Sequence, residues 1–347
     1  MQTIVTNKDD ELTKQLLHDN ELNKDSQTYT ALVEKVIGNK VQFKLIPKSP
    51  VPGFKKWIES LRLVSITATL IPALCVFSYQ HLNGQSINAL NAFLFVLAAI
   101  FLQFSVNLLN DYYDYIKLID TPQSKGGSGV ILSGKIKAKD IKKLGYACAA
   151  IALLSGIPLF LQNPIYIGAL GVVGLIGAIE YSSNFIGFKY KALGDIVVFF
   201  LCGPVLCMAA SISATGTWSS IDIIVGIYFG LLATCILHAN NLQDIEVDTG
   251  SGSKTIASLI GYEPSKILFF LYYLGAWAAL TYLAYDLDKL LVMSPAILLS
   301  ILLSARLIIK LFKAHSSNDT SIELLRIETA QLHLMLGVIL SINFLLI

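Results

Sequence analysis

Two stretches of the chain gather amides and carboxylates at helical spacing, each at the end of a long apolar run. The first reads Asn107-Leu108-Leu109-Asn110-Asp111-Tyr112-Tyr113-Asp114, with Asp120 after a short gap. The second reads Asn240-Asn241-Leu242-Gln243-Asp244-Ile245-Glu246-Val247-Asp248. On a helix, side chains at i, i+3 or i+4, and i+7 fall on one face, so Asn107, Asn110 or Asp111, and Asp114 align, as do Asn240 or Asn241, Asp244 and Asp248. Unpaired carboxylates at the edge of hydrocarbon repel one another and cost roughly 3 kcal/mol each to insert, and acids at helix C-termini oppose the macrodipole. A bound cation offsets both costs. Every donor is a hard oxygen and no His or Cys clusters with them, a set that suits magnesium, which keeps water and bridges a few carboxylates to substrate phosphates. Two such clusters facing one another describe a cradle for a diphosphate. Lys125 and Lys254 follow the two clusters and could neutralise phosphate oxygens, and Gly126-Gly127-Ser128-Gly129 could bring backbone N–H groups close to them. The blander reading, helix-end carboxylates facing interfacial water, suits one cluster better than two of matching form.

The elements that must carry these clusters are membrane helices. Of 347 residues, 54% are hydrophobic and 14% charged, a balance that does not fit a water-exposed surface. In hydrocarbon each backbone polar group must be paired within its own segment or in a closed barrel, and the long apolar runs lack period-2 alternation, so they predict helices. Nine runs are long enough to cross a core of about 30 Å: Leu63 to Tyr79, Ile87 to Leu109, Leu144 to Leu161, Ile165 to Tyr181, Leu193 to Ala214, Ile221 to Leu237, Ser265 to Tyr285, Leu290 to Ile309, and Thr329 to Ile347. Loops after the even-numbered runs hold Lys125, Lys135, Lys137, Lys139, Lys142, Lys143, Lys189, Lys191 and Lys254 among others, whereas those after the odd-numbered runs hold Lys289. The positive-inside rule then places the N-terminus and both acidic clusters on the cytoplasmic side and the C-terminus outside.

The net charge of +2 argues against nucleic-acid binding. The five cysteines sit in or beside apolar runs, where a thiol acts as a small hydrophobe. The chain opens on polar residues without an apolar stretch, so no cleaved signal peptide is expected. Residues 1–55 read as a polar cytoplasmic extension and linker, partly helical at best, closing on Pro47-Lys48-Ser49-Pro50-Val51-Pro52-Gly53. Residues 56–347 read as the transmembrane domain.

At the two clusters the sequence resembles the UbiA superfamily of intramembrane aromatic prenyltransferases, and within it the 1,4-dihydroxy-2-naphthoate polyprenyltransferases of menaquinone biosynthesis. The first motif has the form Asn-x-x-Asn-Asp-Tyr-x-Asp with a later Asp, here Asn107, Asn110, Asp111, Asp114 and Asp120. The second has the form Asn-Asn-x-x-Asp-x-x-x-Asp followed by Gly, Lys and Thr, here Asn240, Asn241, Asp244, Asp248, Gly252, Lys254 and Thr255. Tyr181, the run Tyr190-Lys191-Ala192-Leu193-Gly194-Asp195, and Thr329-Ala330-Gln331-Leu332-His333 resemble the naphthoate branch. One departure stands in the glycine loop, where naphthoate enzymes usually carry an Arg and this chain does not; either Lys125 replaces that charge or the acceptor differs.

The resemblance implies an all-α membrane protein with nine transmembrane helices in a UbiA-like bundle, its central cavity opening to the cytoplasmic side of what is expected to be a bacterial membrane. It implies two Mg²⁺ ions held by Asn107, Asp111, Asp114, Asp244 and Asp248, with Lys125, Lys254, Asn107, Asn110, Asn240 and Asn241 on the diphosphate of a polyprenyl diphosphate. Asp120, Tyr181 and Asp195 are candidates to orient or deprotonate an aromatic acid acceptor. For a dihydroxynaphthoate, substitution at the carboxylated carbon expels CO₂ and leaves a demethylmenaquinone; 4-hydroxybenzoate, homogentisate or another phenol are the other acceptors. Phe93, Phe95, Phe101, Phe104, Phe199 and Phe200 are candidates to line a tunnel for the prenyl tail. His238 and His333 are expected to make interhelical hydrogen bonds. A transporter is the competing class, though it would place its acids near the midplane on broken helices rather than beside basic loops.

Overall fold

The computed structural model describes residues 2–24, 27–47, 53–122, 124 and 126–346. Its first part overturns the expected extension. Residues 2–47 fold as β1 (Gln2–Asn7), α1 (Glu11–Asp19), β2 (Glu21–Lys24), β3 (Gln27–Ile37) and β4 (Lys40–Pro47), an antiparallel sheet in the order β1-β4-β3-β2. Strand β4 alternates: Val41, Phe43 and Leu45 are buried while Gln42 and Lys44 are partly open, the period-2 pattern of a half-buried strand. The hairpin β3-β4 turns through Gly38 and Asn39, with Gly38 at φ +55, a conformation that costs glycine little. Leu16 and Leu17 of α1 cover the sheet, and this core continues into Leu108, Tyr115, Val130, Ile136 and Ile141 of the membrane domain. Burying Phe43 or Leu16 completely is worth about 1.5–3 kcal/mol each.

The rest is helical. In order come α2 (Phe54–Leu61), a 3₁₀ turn at Leu63–Ile66, α3 (Thr67–Leu82), α4 (Ala89–Ile116), α5 (Ala138–Gln162), α6 (Pro164–Ile179), a 3₁₀ turn at Phe188–Tyr190, α7 (Gly194–Leu201) and α8 (Pro204–Thr215). Then follow α9 (Ser220–Gln243), α10 (Ile245–Ser251), α11 (Ile256–Ile260), α12 (Tyr262–Asp286), α13 (Leu290–Lys313), a 3₁₀ turn at Thr320–Ile322 and α14 (Leu325–Leu346). Among the described residues eight segments are long and apolar enough to cross a bilayer. The expected span Ile165 to Tyr181 is instead α6, an apolar helix of 16 residues, or about 24 Å at the α-helical rise. The expected span Leu193 to Ala214 is broken into α7 and α8 at Cys202-Gly203, with Pro204 restarting the helix at its first position.

Helix α9 is the most buried of the spans and serves as the axis, with α3, α8, α12 and α14 packed around it. The α7–α8 break lies flush on α9. A Cβ on Gly203 would fall 2.5 Å from the carbonyl oxygens of Gly226 and Phe199, and one on Gly230 would fall 2.4 Å from Phe199 O, so only glycine allows this approach. Helix α4, at 28 residues, runs about 42 Å and so outreaches a hydrocarbon core of about 30 Å. Its last turns emerge from the apolar layer, and those turns carry the first acidic cluster.

Candidate active site

The last three turns of α4 are two-faced. Leu108 and Leu109 are fully buried in the core shared with the sheet, Leu109 lying where a Cβ on Gly145 of α5 would be 2.9 Å away. Asn107, Asn110 and Asp114 consequently turn the other way and line a cavity of about 1060 Å³. The ends of α9 and α10 line the same cavity through Asn240, Asn241, Asp244 and Asp248, so the two clusters open onto one space. Below this polar end the wall is apolar, with Leu102, Leu153, Ile157, Phe160, Leu175 and Leu206 along it. Of the aromatic residues expected to line a tunnel, Phe95 does so, whereas Phe93 and Phe200 are exposed on the outside of the bundle.

The glycine loop is wedged between the clusters. A Cβ on Gly126 would stand 3.1 Å from Asp244 Oδ2, and one on Gly127, at φ +70, would stand 2.6 Å from Asp120 Oδ2 and 3.5 Å from Asp111 Oδ1. Ser128 N donates to Asp111 Oδ2 at 3.1 Å. Asp111 thus faces the loop rather than the main cavity, and its other oxygen accepts from Arg62 Nη1 at 3.4 Å. Lys125, expected on phosphate from this loop, lies outside the described residues.

The cations that reach the cavity are largely ones that sequence spacing did not single out. Lys189, on the 3₁₀ turn before α7, donates to Asp114 Oδ2 at 2.5 Å and to Asn110 Oδ1 at 3.1 Å, while Tyr190 OH donates to Asp114 Oδ1 at 2.8 Å. Burial works against the Lys189 charge, but Asp114, with Tyr181 and Asp120 behind it, overrides that and holds the ammonium above the usual lysine range. The turn is latched by Lys117, which donates to Ser183 O at 3.0 Å and sits 3.6 Å above the Tyr190 ring. Two guanidiniums also line the cavity: Arg62, after α2, and Arg326, in the first turn of α14, which donates to Asn240 Oδ1 at 3.2 Å. Lys254, by contrast, is exposed and does not line the cavity; its carbonyl accepts from Ala192 N. A signal for Arg62 and Arg326 did exist, since each is a lone guanidinium beside an apolar run, but nothing in the sequence says they meet.

The remaining candidates divide. Tyr181 lines the cavity, and burial raises its phenol above the ordinary value. Asp120 also lines it; burial, reinforced by the Asp114 and Asp111 carboxylates, pushes its carboxyl up to about 8. Burial likewise pushes Asp248 up to about 7, and Thr255 Oγ1 donates to it at 3.2 Å. Asp195 stands outside the cavity lining. Its oxygens face His238 Nδ1 at 2.9 Å, Tyr272 OH at 3.0 Å and Asn241 Nδ2 at 3.3 Å, so it orients Asn241 and fixes α9 to α7 and α12. His238 makes the expected interhelical bonds, the second to Ser265 O at 3.1 Å. His333 does not: buried against Phe229, neither ring nitrogen has a hydrogen-bond partner among the described residues, and nothing in the structure explains it. Asn107 ties α4 to the turn after α2, donating to Leu61 O at 2.9 Å and Ser65 Oγ at 2.6 Å.

Comparison with known proteins agrees with this architecture. The model of the UbiA prenyltransferase family matches residues 69–324. The chain is 29% identical over 304 residues to the UbiA prenyltransferase domain-containing protein 1 of Dictyostelium discoideum, covering 86% of this chain and 90% of that one. It is 26% identical over 230 residues to the 1,4-dihydroxy-2-naphthoate octaprenyltransferase of Bacillus subtilis (strain 168), covering 66% and 73%. Its fold is similar to that of a UbiA homolog from Archaeoglobus fulgidus solved with GPP and Mg²⁺, at a TM-score of 0.61 and 16% identity, covering 84% of this chain and all of the other. The expected class of enzyme, an aromatic prenyltransferase, is that of the family. With a shared cavity joining both acidic motifs in a multi-pass helical bundle, and a family match spanning most of its length, the chain belongs to the UbiA prenyltransferase family.

Proposed function

We propose that the chain transfers a polyprenyl group from its diphosphate to an aromatic acid, 1,4-dihydroxy-2-naphthoate being the favoured acceptor. The observation that carries this reading is the convergence of Asn107, Asn110, Asp114, Asn240, Asp244 and Asp248 on the polar end of a cavity whose remaining wall is apolar, a shape suited to an anionic head and a hydrocarbon tail. The A. fulgidus homolog, solved with GPP and Mg²⁺, and the naphthoate enzyme of B. subtilis support the two halves of the assignment.

The donor set suits Mg²⁺. It is made of carboxylate and amide oxygens lining the cavity, hard donors suited to an ion that completes its shell with water and substrate oxygens. Asn107, Asp114, Asp244 and Asp248 would hold it from the cavity wall and Asp111 from the adjoining recess under the glycine loop, with Asn110, Asn240 and Asn241 in support, and two ions are the expected number. Magnesium supplies charge neutralisation to the leaving diphosphate when bound. The chain's own residues do the rest. Lys189, bonded to the first cluster, and Arg326, bonded to the second, would offer cationic N–H donors to the departing oxygens as they gain charge. The allylic C–O bond breaks, its electron pair leaving with the diphosphate, and the ring carbon supplies the pair for the new C–C bond. At a carboxylated carbon, loss of CO₂ returns an electron pair to the ring and yields the quinol of demethylmenaquinone with no proton to remove. At a ring C–H the proton must leave, and Asp120 or Tyr181 are the cavity groups available to take it.

Basic loops beside both clusters support an inward-facing site, with the N-terminal sheet in the cytoplasm. A short ninth crossing by α6 then puts the C-terminus outside. The test is to incubate purified protein with Mg²⁺, labelled polyprenyl diphosphates of graded length and a panel of aromatic acids. The prenylated, decarboxylated naphthoquinol is the expected product. Product from 4-hydroxybenzoate or homogentisate alone would move the acceptor, and no product from any pair would reject the reading.

A further inference from the structure

The sheet of residues 2–47 grips the segment between α4 and α5, and the grip centres on one residue. Asn20 is buried, in the left-handed conformation at the C-terminus of α1, with φ +55. All its polar groups are used. Its N–H donates to Leu16 O and its carbonyl accepts from Ala31 N, which fixes it within the sheet domain. Its side chain leaves the domain: Nδ2 donates to Tyr115 OH at 2.8 Å, and Oδ1 accepts from Ala138 N at 2.9 Å. Tyr115 closes α4 next to Asp114, and Ala138 opens α5, whose own preceding residue, Lys137, provides no side-chain cap. Asn20 therefore caps α5 from another domain, satisfying an N–H that the helix leaves without a partner. Its neighbours repeat the pairing in register, Asp19 with Lys139 and Glu21 with Lys137, both at 2.8 Å.

Between these two anchors runs the glycine loop. Its later part lies on the sheet: Val130, Ile131 and Ile136 join the sheet's core, and Gly134, at φ +66, lies so close that a Cβ would stand 2.7 Å from Leu32 Cδ2. Its earlier part, Gly126 to Ser128, touches Asp244, Asp120 and Asp111. One short segment is thus pressed between the N-terminal sheet and the carboxylates of both motifs.

We infer that residues 2–47 are a clamp for this loop, with Asn20 as the positioning residue that sets where Gly126, Gly127 and Ser128 stand against the diphosphate site. The kinetic consequence rests on the function proposed above; the structural one does not. In full-length Asn20→Ala, kcat falls about tenfold or more, because small displacements of positioning groups are costly, while KM for the acceptor stays unchanged. Asn20→Asp, which keeps the oxygen facing Ala138 N, restores part of kcat. Amide hydrogen exchange read without substrate quickens in residues 126–139 of Asn20→Ala and is unchanged in α9. Gly134→Leu, which forces the loop off the sheet without touching Asn20, gives the same pattern and serves if Asn20→Ala does not insert. Unaltered exchange across 126–139 in the inserted variant overturns the clamp, as does faster exchange with wild-type kcat. A protein inactive with every acceptor would reject the proposed activity, and the exchange result would still decide the clamp.

Discussion

Lys189 Nζ lies 2.5 Å from Asp114 Oδ2, a contact made across 75 residues between the 3₁₀ turn before α7 and the last turn of α4. The pair sits beside a cavity large enough for an amphipathic substrate, and Tyr190 occupies the second oxygen of the same carboxylate. Lys189 is thereby held at the cavity, which Arg326 also lines. Replacing it by Met removes one preorganised donor, for which a loss of about 10²-fold in kcat/KM for the prenyl diphosphate is expected. Steady-state kinetics with varied diphosphate checks this, and a variant within twofold of wild type would remove Lys189 from the site.

Asp111→Ala and Asp244→Ala each abolish prenyl transfer while membrane insertion is retained, and EDTA silences the wild type. The two carboxylates touch opposite sides of the glycine loop, so each loss also leaves a gap there. Product formation and the yield of inserted protein are the measurements; full turnover by either variant would count against the cation assignment.

Gly127 and Gly129 allow a controlled comparison. Both have positive φ, +70 and +69, so either Gly→Ala change adds backbone strain of about 1 kcal/mol. Only at Gly127 would the new Cβ also meet a carboxylate, at 2.6 Å from Asp120 Oδ2, whereas at Gly129 it meets nothing within 4 Å. Turnover should drop sharply in Gly127→Ala and little in Gly129→Ala, although both lose similar thermal stability. Equal activity losses would show that the loop tolerates no strain anywhere and that contact with Asp120 is irrelevant.

The carboxyls of Asp120 and Asp248 are raised by burial to about 8 and about 7, above an ordinary carboxylate value near about 4. The folded protein then binds more protons than the unfolded chain across that window, so the slope of stability against pH is negative and stability is lost as pH rises from about 4 towards 8. Bound Mg²⁺ and pyrophosphate favour the ionised carboxylates and release those protons. Thermal unfolding at pH 5 and pH 8 should therefore give the higher midpoint at pH 5 without ligand, with the difference shrinking when both are added. A ligand effect independent of pH would mean that these two carboxyls are not displaced of their protons.

Asp195→Ala should cost about 3 kcal/mol or more in stability, since it strands buried donors on His238, Tyr272 and Asn241. Asp195→Asn, which keeps one acceptor oxygen, should unfold at an intermediate temperature. If instead the Ala variant melts like wild type but loses activity, the carboxylate acts on the acceptor through Asn241 rather than as a brace.

The sequence by itself determined the membrane class, the two acidic motifs and the family, because each is written in local properties: apolar run length, helical spacing and residue type. It also held a sign of the N-terminal sheet, in the alternation of Val41, Phe43 and Leu45 with Gln42 and Lys44, which the polar composition around it masked. Only the tertiary structure decided which charges share the cavity. Lys189, Arg62 and Arg326 reach the motifs across 75, 49 and 86 residues, whereas Lys254, nearer in sequence to the second motif, turns outward. Which loop cation faces inward depends on where the packed helices end and how the connecting chain turns, and no local pattern encodes that.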